Sequence, residues 1–142
     1  MEETDFLLLK STENINSANL LITNGFAASS IHCSYYSCVQ MMLHVLRSDL
    51  NKTEEELEIL SEKGSRDYHG FHNWLQNVFC EELIRRDKDA RIAFDFNTSI
   101  GNLKGIRIRS DYRVSGISNK EANKALILAK KINKLIEDKF KL

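Results

Sequence analysis

The spacing of apolar residues between Ala122 and Ile136 constrains this chain more than any other feature. Ala122, Ala125, Leu126, Ala129, Ile132, Leu135 and Ile136 recur at intervals of three and four. That rhythm draws one stripe along an α-helix, whereas a half-buried strand would alternate. The alanines leave room for a neighbouring helix to sit close. Ser118 and Glu121, just after Gly116, mark the start of this helix as a capping box.

The same period recurs upstream. Ile31, Tyr35, Cys38, Met42, Val45 and Leu46 stripe a helix expected over 28–47, and Tyr36, Val39 and Leu43 widen the stripe. A helix this apolar belongs at the centre of a bundle. Ahead of it, Ile15, Ala18, Leu21 and Ile22 predict a helix over 12–24, with Gly25 as its C-terminal cap. Ser29 and Ser30 are expected to cap the second helix. Thr53 and Glu56 open a short acidic helix to about Glu62, which Gly64 and Ser65 are expected to break.

A fourth helix is expected over 68–86, with Phe71, Leu75, Val78, Phe79 and Leu83 inward and Trp74 close to that face. In 91–96, Ile92, Phe94 and Phe96 alternate with polar residues, which is a strand period. A lone strand has no partner for its hydrogen bonds, so an ordered connection is expected there. A helix over 98–112 should follow, with Gly101 and Gly105 letting another helix approach. Proline is absent from the chain, which suits long helices joined by short turns. The expected fold is an all-α, up-and-down bundle of about five or six helices, with residues 1–142 as one domain.

Lys+Arg and Asp+Glu balance at 20 each, so no global field draws in a polyanion and any such site must be local. Acid gathers between Glu54 and Glu62. Base gathers between Lys104 and Arg113 and again between Lys130 and Lys141. The second basic stretch suits the C-terminal end of a helix dipole. The opening residues lack the basic start and apolar run of a signal peptide, and no apolar stretch is long enough for a membrane span. Cys33, Cys38 and Cys80 follow no disulfide framework, so a cytoplasmic location is expected. Cys38 lies on the apolar stripe as an inert core thiol.

Segment 107–112, RIRSDY, carries the chemistry. Lys104, Arg107 and Arg109 stand beside Asp111 and Tyr112, with Arg113 next. A guanidinium offers a planar fork of donors to phosphate, so Arg107, Arg109, Asp111 and Arg113 are the candidate ligand-binding residues. Asp111 also sits where an i, i+4 pair with Arg107 would form. His69 and His72 share a helical spacing, but no second ligand pair accompanies them, so no metal and no cofactor are expected. Gly101 and Gly105 are not followed by the lysine and hydroxyl of a phosphate-binding loop.

Three local patterns, in this order, resemble the HEPN domain family of prokaryotic all-α proteins. They are GFAASS at 25–30 with Tyr35 and Tyr36, then His69, Gly70 and Phe71, then RIRSDY at 107–112 before the alanine-rich helix. The resemblance implies a helical bundle that homodimerises and works near RNA or nucleotides. Relatives are metal-independent RNases or partners of small nucleotidyltransferases in toxin–antitoxin and defence systems. The RNase branch places a histidine four to six residues after its arginine. Here Arg107 is followed at that spacing by Tyr112, and no histidine lies beyond His72.

Cleavage through a 2′-hydroxyl needs proton transfer near neutrality, which histidine supplies and an ordinary phenol, with a pKa of about 10, does not. The sequence therefore predicts a protein that holds RNA or a nucleotide, or docks a nucleotidyltransferase-type partner, and cuts weakly or not at all. The alternative is an active metal-independent RNase using Arg107 with Tyr112, or Arg66 with His72 as the fallback pair. A second alternative is a helical module that only docks other proteins.

Overall fold

A computed structural model describes residues 5–49, 53–67, 70–114 and 116–142. Its apolar stripes become six helices: α1 (Asp5–Thr23), α2 (Ala27–Ser48), α3 (Glu54–Asp67), α4 (Phe71–Arg86), α5 (Ala90–Tyr112) and α6 (Asn119–Phe140). No strand occurs among the described residues. The fold is an all-α helical bundle, as the periodicity requires.

The α1–α2 turn follows from one glycine. Gly25 adopts a φ of 83°, which costs a residue with a Cβ. This lets Phe26 N–H reach Leu21 O at 2.8 Å and Gly25 N–H reach Ile22 O at 3.1 Å, a Schellman closure. α1 begins earlier than its apolar period predicts. Its first turns bury little: Leu8 packs on the core while Phe6 and Leu9 stay exposed. Neither Ser29 nor Ser30 caps α2. The helix starts at Ala27 behind Phe26, which makes no side-chain cap, and Ser30 Oγ donates to Ala27 O at 2.6 Å inside the first turn.

α2 is the hub, packing against α1, α5 and α6. Ile31, Cys38 and Val45 on its stripe are fully buried. The alanines of α6 give the close approach their size allows, since Cys38 Sγ reaches Ala129 O at 3.6 Å. Burial pushes the Cys38 thiol up to about 12, so it stays protonated and inert. Ser118 caps α6 by accepting from Glu121 N–H at 3.2 Å.

Three further expectations are corrected. α3 is not broken at Gly64 and Ser65 but continues to Asp67. Its Thr53 cap stands, with Glu56 N–H donating to Thr53 Oγ1 at 3.1 Å. One interior glycine costs a helix about 1 kcal/mol, which is too little to end it alone. Residues 91–96 are neither strand nor connection but the first turns of α5, capped by Asp89, which accepts from Arg91 N–H at 3.0 Å. The buried set is Ala93, Phe96, Ile100, Leu103 and Ile106, which is helical spacing, while Phe94 of the apparent alternation is 73% exposed. Gly101 and Gly105 admit no neighbouring helix. A Cβ on Gly101 would meet open space, and one on Gly105 would meet only Arg109 of the same helix.

At the far end of the bundle Arg86 joins three helices. It bonds Glu82 within α4 at 2.7 Å, reaches Asp49 at the end of α2 at 2.5 Å, and lies 4.5 Å above the Phe140 ring of α6. No helix among the described residues is long and apolar enough to cross a membrane.

Candidate functional site

Three helices meet around Arg107. α5 contributes Lys104, Arg107 and Asp111, which share one face at spacings of three and four. α2 contributes His32, Tyr35 and Tyr36 from its first turns, and α4 contributes His72 and Asn73 from its start.

The Arg107 guanidinium lies 4.8 Å above the Tyr35 ring and 3.9 Å from Asp111 Oδ2. Its side chain keeps only 17% of its surface exposed, and its buried Nε has no protein acceptor among the described residues. The aromatic face offers electrostatic attraction but no lone pair, so much of the guanidinium's donor capacity stays uncommitted. Asp111 is shared, because His32 Nε2 lies 2.5 Å from its Oδ1. Lys104 Nζ donates to the neutral Asn73 Oδ1. Two cations thus stand close on one helix face, and the one described carboxylate near Arg107 is divided between it and a histidine.

The field of this pair is visible in its neighbours. Burial, then the Arg107 charge, lowers the proton affinity of Lys104 below its ordinary value. Burial, then Arg107 and Lys104, lowers that of His72. Burial pushes the Tyr35 phenol up to about 12, against the opposing pull of Arg107. Tyr35 therefore keeps its proton while His72 stays neutral. The 2.9 Å contact between Tyr35 Oη and His72 Nδ1 is then served by the phenol donating to the imidazole.

The remaining residues of the basic segment point elsewhere. Five residues along a helix turn about 140° around its axis. Tyr112 is accordingly 81% exposed and makes no described contact with Arg107. Arg109 is exposed and has no ion-pair partner among the described residues. Arg113 bonds Glu121 at 3.0 Å and so ties the end of α5 to the start of α6. The Arg66 side chain and all of His69 lie outside the described residues. His72 stands by Arg107, and its pairing with Arg66 lies outside the described residues. Among the described residues no three of His, Cys, Asp and Glu converge as metal ligands would.

Sequence reasoning missed His32, and it set His72 apart from Arg107, beside which the bundle places it. It sought a histidine downstream on the arginine's own helix, whereas the bundle brings two from other helices. The signal was faint but present, since His32 lies one turn from Tyr36 on the α2 stripe. The chain matches no family model, and no curated protein or solved structure is significantly similar to it.

Proposed function

We propose that this chain is a HEPN-like helical domain that grips the phosphate of RNA or of a nucleotide at the Arg107 cluster, with weak or absent nuclease activity. The supporting observation is the packing of Lys104, bonded among the described residues only to the neutral Asn73, beside Arg107, whose one described nearby carboxylate, Asp111, lies 3.9 Å away and closer to His32. Burial first, and then the Arg107 charge, disfavour the charged form of Lys104, and an anion beside the pair offsets the second of these costs. Holding is favoured over cutting because the Tyr35 phenol keeps its proton, its bond occupies one nitrogen of His72, and Tyr112 stands on another face. The wider setting follows the family resemblance: a cytoplasmic homodimer, or a complex with a nucleotidyltransferase-type partner, in prokaryotic toxin–antitoxin or defence systems.

One observation supports a second reading, an active metal-independent RNase. His72 is held neutral beside Arg107, which is the form that accepts a proton from a 2′-hydroxyl. Incubating the protein with single-stranded RNA in EDTA decides between the two. Binding without new termini fits the holder. Cleavage that His72→Gln abolishes fits the RNase. Neither binding nor cleavage removes both.

A further inference from the structure

The chemistry beside the phosphate-gripping residues is aromatic. The His32 and Tyr36 rings are parallel to within 6°, with centroids 6.5 Å apart on successive turns of α2. Tyr36 is braced by two edge-on neighbours, Tyr35 at 5.5 Å and His72 at 5.9 Å. His32 is pinned at its edge by Asp111 at 2.5 Å, and its side chain is 45% exposed. An imidazole tied at one nitrogen cannot swing freely, so its plane is set before anything binds. Fixed aromatic surface of this kind accepts a π-face from any base at little entropic cost.

The same carboxylate that pins His32 also contacts Arg107. One Asp111 side chain, 2.5 Å from the ring and 3.9 Å from the guanidinium, therefore places an aromatic face and a phosphate-binding group beside each other. We propose that His32, backed by Tyr36, is a stacking platform for one unpaired nucleobase whose phosphate lies on Arg107 and Lys104. This deepens, and rests on, the phosphate-gripping reading above. It names the ligand class as a single-stranded segment or free nucleotide, because a duplex keeps its bases stacked on one another and presents no free face.

Two substitutions at one position give opposite forecasts for a stacking and a structural role. His32→Gln keeps a donor for Asp111 but has no ring. His32→Phe keeps a ring but has no donor. The test measures fluorescence anisotropy with a labelled single-stranded oligouridylate, an abasic chain of equal length, the matching duplex, and AMP as competitor. The platform predicts that wild type binds the base-bearing strand about tenfold more tightly than the abasic chain. It predicts that His32→Gln erases this difference, that His32→Phe restores it, and that the duplex binds no better than the abasic chain. Competition by AMP at concentrations similar to the oligomer's would make the free nucleotide the ligand, and its failure would favour the strand.

Equal binding of base-bearing and abasic chains overturns the platform while leaving the phosphate site standing. So does loss of the difference in His32→Phe with retention in His32→Gln, which is the pattern of a purely structural hydrogen bond. Binding of neither chain at low salt overturns both readings.

Discussion

Arg107 is held by an aromatic face and by a carboxylate that it shares with His32, and this leaves its guanidinium without a close acceptor among the described residues. A bidentate pair with its own aspartate would have used up the fork, but at 3.9 Å Asp111 is too far for a hydrogen bond and is better engaged by His32. Burial first, and then the field of Arg107 and Lys104, act on His72 and make its surroundings testable through pH. Its folded proton affinity lies below the ordinary value of 6.5, so the unfolded chain binds more protons between the two values. Stability is therefore full above that ordinary value, falls as pH drops through it, and levels off below the folded value. As pH is lowered from 7.5 to 5, urea midpoints should fall more steeply for wild type than for His72→Gln. Parallel curves would mean that His72 feels no such field. Tyr112 makes the opposite forecast: Tyr112→Phe should change stability by less than about 0.5 kcal/mol and leave RNA affinity unaltered. The basic residues of this site were legible in the sequence because they lie together on one helix. The histidines were not, because the chain distances from His32 and His72 to Arg107 carry no trace of the packing that joins them.

Glycine has opposite meanings in two of these helices, and substitution separates them. Gly25→Ala places a Cβ at a φ of 83° and should cost about 1 kcal/mol or more. Gly101→Ala adds a methyl to an exposed helix interior where nothing lies within 4 Å, and should stabilise by up to about 1 kcal/mol. Thermal melts of both variants check the pair, and a loss of stability at Gly101 would mean that the helix needs that glycine after all. The same contrast explains what the sequence disclosed about the elements. Gly25 ends a helix because the following residues complete the capping bonds, while Gly64 and Gly101 have no such company and the helices run through them. The alternation of Ile92, Phe94 and Phe96 misled for a related reason. Period two and period 3.6 overlap over a few residues, and only the longer series through Ile100, Leu103 and Ile106 separates them.

At the scale of the whole molecule, the bundle places its polar junction and a buried aromatic cluster at different ends of α2. The first turns of α2 carry His32, Tyr35 and Tyr36 to the Arg107 cluster. Its last residues meet Arg86, and nearby Phe79 of α4 packs on Phe96 of α5 at 5.1 Å and Phe140 of α6 at 5.2 Å. Phe79 is fully buried, so Phe79→Ala should cost about 3–5 kcal/mol in a urea titration. A cost below about 1 kcal/mol would mean that these helices do not share that core. The central claim concerns the other end: the Arg107 cluster grips phosphate. It is tested most directly by the salt dependence of single-stranded oligoribonucleotide binding in EDTA, for wild type and for Arg107→Ala and Lys104→Gln. The account predicts binding that weakens with salt, and a logarithmic slope shallower by about 0.7 in each variant, the loss of one phosphate contact. Wild-type binding with the same slope in both folded variants, or no binding at low salt, would contradict it.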